Sequence, residues 1–171
     1  EGDWYQDQQH GYGIYHFANN NRYEGMWYQD YQHGEGTMYY YTGDVYEGNW
    51  KNDKREGQGT YTWKEGARYI GSWAGDKKNG QGTQTWSDGS RYTGTWKENQ
   101  FSGEGTFEYA NGDKYVGETV DGKRHGYGLY YYANGNYYYG RYRDNAQYGY
   151  GAMFSTDSRI VIMDWESKNE N

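Results

Sequence analysis

The chain has 171 residues, the length of one ordinary domain, but its 28 Gly, 25 Tyr and 8 Trp with no Pro or Cys are not an ordinary composition. The absent cysteines exclude disulfides, thiolate metal sites and cysteine nucleophiles. A net charge of −7 argues against nucleic acid, whose phosphates need basic partners. Glycine stands at more than twice its usual ~7%, yet 22% aromatic residues point to packing rather than disorder. No apolar run approaches the ~18 residues of a transmembrane helix. No signal peptide is visible, and the chain starts at Glu1 without Met, partway through a repeat; we expect a longer parent protein.

A single spacing organises everything else. Tyr-x-Gly begins at Tyr23, Tyr46, Tyr69, Tyr92, Tyr115 and Tyr138, a step of 23 residues each time. Gly-x-Gly follows in the same step, from Gly11/Gly13 to Gly149/Gly151. Trp4, Trp27, Trp50, Trp73, Trp96 and Trp165 hold another fixed phase, broken by Thr119 and Tyr142. A strict period of this length marks stacked units that cannot bury their apolar faces alone.

Taken in order, residues 1–22 are a cassette lacking its first tyrosine, and five full cassettes begin at Tyr23, Tyr46, Tyr69, Tyr92 and Tyr115. The cassette from Tyr138 to Ile160 is eroded, with Tyr142 in the Trp position and Ser158 in a Gly position. Val161–Trp165 reads as a lone capping strand whose glycine has become Met163, and residues 166–171 as a polar tail. Residues 1–165 are thus expected to form one continuous array without linker or second domain. Fifteen strands so counted, at ~4.8 Å spacing, would extend roughly 65–70 Å, twisted and without helix.

Within one cassette, Tyr92–Trp96 and Gly103–Tyr109 alternate with period two, placing aromatics and glycines on one face. Ala110-Asn111-Gly112 predicts a three-residue hairpin loop ending in a left-handed residue, and Gly43, Gly66, Gly89 and Gly135 repeat it. Asn20 and Ser158 stand there in the outer copies. The stretch Lys97–Ser102 is expected to be a six-residue loop. With Trp96 opposite Gly103, Gly94 falls opposite Gly105 and Tyr92 opposite Phe107; across the next hairpin Phe107 meets Tyr115 and Gly105 meets Gly117. The all-glycine row would form a trough roofed by the flanking rings, a known way to cover strand glycines, each ring burying roughly 150–250 Å². These glycines are therefore structural; no copy reads G-x-G-x-x-G and no helix pattern follows, so no phosphate loop is expected.

The cassette Y-x-G-x-W…G-x-G…G resembles the MORN repeat (membrane occupation and recognition nexus) from Glu1 to about Trp165. Thr119, Tyr142, Ser158 and Met163 depart from the pattern. The resemblance implies an all-β fold, an elongated twisted single-layer antiparallel sheet of stacked hairpins used as a scaffold. Such arrays occur in cytoskeletal and ciliary proteins, in membrane-contact proteins, and beside catalytic domains of lipid kinases and a lysine methyltransferase. Family members bind protein segments, self-associate, or are proposed to bind phospholipid. A cytoplasmic place beside cytoskeleton or cilium, or at a membrane surface, follows from that resemblance alone.

Chemistry has little to stand on. No hydrolase elbow, zincin, Walker or EF-hand pattern occurs, and no enzyme activity, cofactor or small-molecule substrate is expected. His10, His33 and His125 share a phase, but equivalent residues lie about 9.6 Å apart in a hairpin array, too far to share a metal held at ~2.1 Å. They read as loop histidines beside Tyr5 and Tyr28. The loops also carry Lys54-Arg55, Lys77-Lys78 and Lys123-Arg124, a candidate stripe for anionic lipid, with Asp7, Asp30, Asp53, Asp76, Asp121 and Asp144 nearly cancelling it.

The face away from the trough is polar in the middle repeats and turns aromatic toward the ends. Tyr5, Tyr12, Tyr28 and Tyr39 gather at one end, and Tyr127, Tyr131, Tyr139, Tyr150 and Phe154 at the other. Burial of the glycine face does not require these rings, and tyrosine is enriched in interfaces. Two readings stand: drift in a Tyr-rich chain, or two contact patches for partner proteins or self-association.

Overall fold

The computed structural model describes residues 1–166. It divides into two compact units, Glu1–Ser87 and Asp88–Asn171. The N-terminal unit holds β1 (Gly2–Tyr5), β2 (Gln8–His16), β3 (Arg22–Tyr28), β4 (Tyr31–Tyr39), β5 (Val45–Lys51), β6 (Lys54–Thr62), β7 (Arg68–Ala74) and β8 (Lys77–Thr85). The C-terminal unit holds β9 (Arg91–Lys97), β10 (Gln100–Glu108), β11 (Lys114–Val120), β12 (Lys123–Tyr131), β13 (Tyr137–Arg143), β14 (Ala146–Phe154) and β15 (Ile160–Asp164). In each unit, every strand pairs antiparallel with its sequence neighbour, and no helix occurs among the described residues. The expected capping strand is β15, whose Met163 lies opposite Gly151. Of the expected polar tail, residues 167–171 lie outside the described residues.

The glycine trough is present as the alternation requires. Gly48 pairs with Gly59, Gly59 with Gly71, and in the other unit Gly94 with Gly105 and Gly105 with Gly117. A Cβ at Gly59 or Gly105 would fall on the ring of Tyr46 or Tyr92. Tyr23, Tyr46, Tyr69, Tyr92, Tyr115 and Tyr138 are accordingly 0% exposed. Their hydroxyls do not go unpaired: Tyr46 donates to the Asn49 carbonyl at 2.9 Å and Tyr69 to that of Ser72 at 2.9 Å. The indole N–H groups of Trp50 and Trp73 donate to the carbonyls of Gly36 and Gly59. Tyr and Trp rings meet edge to face along the N-terminal unit: Tyr23–Trp50 at 5.5 Å, Trp50–Tyr46 at 5.0 Å, Tyr46–Trp73 at 5.4 Å.

The three-residue turns also form as read. Tyr109 N donates to Asp113 O and Gly112 N to Tyr109 O, with Gly112 at φ 93°. Asn20 and Ser158 take the same left-handed position at φ 72° and 70°.

The expected six-residue loops do not exist. The chain turns in two residues, such as Asn52-Asp53, Gly75-Asp76 and Glu98-Asn99, both with positive φ, the primed geometry that matches strand twist. The surplus residues are taken up by a bulge at the first glycine of Gly-x-Gly; Gly57, for example, sits at φ 78°. Trp96 consequently faces Phe101 in its own hairpin, not Gly103, whereas Gly103 does face Thr119 in the next strand. The inner pairs Gly94–Gly105 and Tyr92–Phe107 stand as expected.

Candidate functional site

The bulge moves one residue of each hairpin onto the trough face. Gln9, Gln32, Arg55, Lys78, Phe101, Arg124 and Gln147 occupy this position, one per cassette. Arg55 lies over Tyr46, Tyr61 and Trp73, with its guanidinium carbon 4.8 Å from the Trp73 ring. Lys78 lies over Trp63 and Tyr69, and burial pushes its ammonium down to about 8. Lys54-Arg55, Lys77-Lys78 and Lys123-Arg124 thus begin strands rather than occupy loops. Lys54, Lys77 and Lys123 are exposed, while their neighbours are half-buried among rings. Within each pair the two cations lie on opposite faces of their strand.

Three of the six turn acids, Asp30, Asp53 and Asp76, are committed to bracing the hairpin before them: the Asp53 carboxylate accepts from Gln32 N at 2.8 Å, and Asp53 N donates to Gln32 O. Asp30 does the same for Gln9, and Asp76 for Arg55. Asp76 also forms an ion pair with the Arg55 guanidinium at 3.3 Å.

Arg124 repeats the Arg55 geometry three cassettes on, over Tyr115, Tyr130 and Tyr142 at 5.2–6.0 Å. Its brace is Asn145, whose Oδ1 accepts from Arg124 N and whose carbonyl accepts from the guanidinium, both at 2.9 Å. The Trp positions around it hold Thr119 and Tyr142. Thr119 Oγ1 donates to Gly103 O at 2.8 Å, the first glycine of its pair, whereas the indoles of Trp50 and Trp73 reach the second. Beside Thr119 lies a cleft of about 280 Å³, walled by Phe101, Phe107, Tyr109 and Tyr115. Beside Tyr142 lies a second of about 530 Å³, walled by Tyr130, Tyr132 and Trp165. Arg124 and Asn145 line both. Tyr142 is 3% exposed and its hydroxyl has no hydrogen-bond partner; burial pushes its pKa up, partly offset by Arg124. Tyr130 donates instead to Asp113 Oδ2 at 2.7 Å, which holds that carboxyl low.

On the opposite face the C-terminal aromatic residues are brought together. Tyr127 and Tyr139 stack at 5.9 Å and 17°, and Tyr131 meets Tyr137, which stacks on Phe154 at 4.7 Å and 9°. Tyr150 is 71% exposed. Tyr137 completes this patch and was not among the residues picked out from sequence, although its phase matches Phe154 across the strand pair. The N-terminal set is looser. Tyr5, His10, Tyr28 and His33 form a file of rings 5.4–5.6 Å apart. Tyr12 is exposed opposite Met26, and Tyr39 lies under the Arg22 guanidinium at 4.3 Å. The histidines therefore lie beside Tyr5 and Tyr28 as read, but on strands. Among the described residues no group of three or more His, Asp or Glu is placed to hold a metal.

Hairpins of one fixed length, each braced to its predecessor and sharing a glycine–aromatic trough, define a β-hairpin repeat protein. The MORN repeat model matches residues 1–22, 23–45, 46–68, 69–91, 92–114 and 115–137, and the chain belongs to that family. The cassette from Tyr138 lies beyond the matched residues. No curated protein matches the chain. Among solved structures, it resembles the SAS-4 (dCPAP) TCP domain of Drosophila melanogaster in complex with a proline-rich motif of Ana2 (dSTIL). Identity there is 14%, over 89% of this chain and 83% of that one, with a TM-score of 0.55, a likeness of fold. The TCP10 domain of CPAP from Danio rerio aligns over 90% of this chain and 95% of its own at 12% identity, with a TM-score of only 0.27.

Proposed function

We propose that residues 1–165 act as a non-catalytic scaffold that binds partner proteins or further copies of itself within a cytoplasmic cytoskeletal or ciliary assembly. The observation that carries this reading is the stacked C-terminal patch. Tyr127, Tyr131, Tyr137, Tyr139, Tyr150 and Phe154 present rings on the face that the fold does not need to bury. Rigid amphipathic rings gain contact area at low entropic cost, which is why they dominate interfaces. The assembly rests on the family, and the use of a protein segment as partner is supported by the similar SAS-4 domain, which holds one. The trough face supplies stiffness, since nearly every ring on it is already engaged with glycine or another ring.

The test changes Tyr127, Tyr131, Tyr139 and Tyr150 to Ser in the 171-residue chain and compares it with the parent in sedimentation velocity and in quantitative pull-down from source-cell extract. These side chains are exposed, so the melting temperature should hold within a few degrees. The expected result is loss of self-association, or of one identified partner, in the variant alone. Equal behaviour of both chains would remove the patch as a contact surface.

A further inference from the structure

Arg55 and Arg124 occupy equivalent places, but only one has its charge answered. Asp76 pairs with Arg55 at 3.3 Å. At the corresponding brace position in the C-terminal unit stands Asn145, which offers only neutral oxygens. The acids of these last turns sit one position earlier, as Asp121 and Asp144. Among the described residues no carboxylate lies within ion-pair distance of Arg124. Asp113, on the same side of Tyr130, is occupied by the Tyr130 hydroxyl and Ala133 N. Arg124 is therefore an unneutralised, half-buried cation among tyrosine rings, a setting in which a charge is short of water and gains from an anion.

The space around it is shaped for more than an ion. The two aromatic-walled clefts, about 280 and 530 Å³, both open at Arg124 and Asn145. They lie beside Thr119 and Tyr142; the groove equivalent to the larger one, beside Trp27, has Gln9 and Asp30 in the places of Arg124 and Asn145 and so offers no cation. A ligand that used both clefts would carry an acid in the middle and an apolar group on either side. The chain's own charge of −7 repels a polyanion at long range, so the fit is to one acid in an otherwise uncharged ligand.

We propose that Arg124 and its two clefts bind an extended protein segment in which a single Asp or Glu is flanked by apolar residues, the carboxylate taking the place that Asp76 fills beside Arg55. This deepens the scaffold reading, since it rests on a protein segment as partner, but it uses the trough face rather than the opposite one. Failure of the tyrosine-to-serine test leaves it standing, and its own failure leaves the exposed patch standing.

The test titrates the 171-residue chain with the capped heptapeptide Gly-Leu-Pro-Glu-Pro-Leu-Gly and its Glu→Gln analogue, following the Arg124 Nε–H and Trp165 indole signals by NMR. The Glu peptide is expected to bind about tenfold more tightly than the Gln peptide, the scale of one close charge pair. Asn145→Asp rebuilds the Asp76 arrangement and should abolish that preference without lowering the melting temperature. Arg124→Gln should abolish it as well. The proposal is overturned by equal affinity for the two peptides, by a preference that survives Asn145→Asp, or by no saturable binding at millimolar peptide. Inorganic phosphate shifting Arg124 when the peptides do not would make this a free-anion site and overturn it equally.

Discussion

The N-terminal unit fills its aromatic row with Trp27, Trp50 and Trp73, whereas the C-terminal unit keeps Trp96 and then runs Thr119 and Tyr142. Both units nevertheless bury their Tyr-x-Gly tyrosines completely. The trough is thus what the fold requires, and the indole is what it can spare. Where the indole is lost, Thr119 keeps a hydrogen bond to a glycine carbonyl; the groove beside Tyr142 is matched by one of about 550 Å³ beside Trp27, but Arg124 and Asn145 stand where that one has Gln9 and Asp30. What looks like decay of a repeat thus leaves the groove in place and changes what lines it, from Gln9 and Asp30 at one end to a cation and a neutral amide at the other.

The largest effect should come from what the units share. Gly59→Val and Gly105→Val each drive a side chain into a buried tyrosine ring, and each should cost about 4 kcal/mol in denaturant unfolding. If either left stability unchanged, the trough would not be the common element. Next comes the element that differs. Trp73→Thr in the N-terminal unit should cost about 3 kcal/mol, because it removes an indole that packs on Tyr46 and Tyr69. The reverse exchange, Thr119→Trp, should raise stability by about 1 kcal/mol while filling the smaller cleft. A crystal structure with that cleft still open would break the link between indole and volume.

The smallest effect is a slope against pH. Lys78 has its ammonium lowered from 10.5 to about 8 by burial, while the same position one cassette later is Phe101. Between those values the unfolded chain holds more protons, so stability gained from the N-terminal unit rises with pH through this window. The buried tyrosines work the other way, since burial raises them above their ordinary 10, but their loss begins only beyond that pH. Lys78→Met should flatten the rise between pH 7 and 9.5 seen by thermal melts; an unchanged rise would show another group responsible.

The trough, the inner register and the three-residue turns were legible because period-two alternation and Asn-Gly chemistry are local signals. The two-residue turns were not, although Asn52-Asp53 and Asp121-Gly122 are suitable dipeptides for them. Gly-x-Gly reads as two flat strand residues when its first glycine is in fact a left-handed bulge, and a bulge leaves no mark on hydrophobic periodicity. That one error hid the trough-face position of Arg55 and Arg124 and made bracing acids look like loop charges. The open cation could have been seen earlier in one place: aspartate holds the brace phase from Asp7 to Asp76, then Asn99, Gly122 and Asn145 replace it.

The braces also bear on how such a chain can change length. Asp53 reaches back to Gln32 at one edge of the sheet, and Asp44 reaches forward to Lys64 N at the other. A residue inserted in either turn would unlace a hairpin from its neighbour on that side, and a residue deleted would do the same. Only a whole cassette can be gained or lost with every lace still meeting its eyelet. The unvarying count of 23 is then less an inheritance than a mesh size, and such a chain is lengthened by copying rather than by stretching.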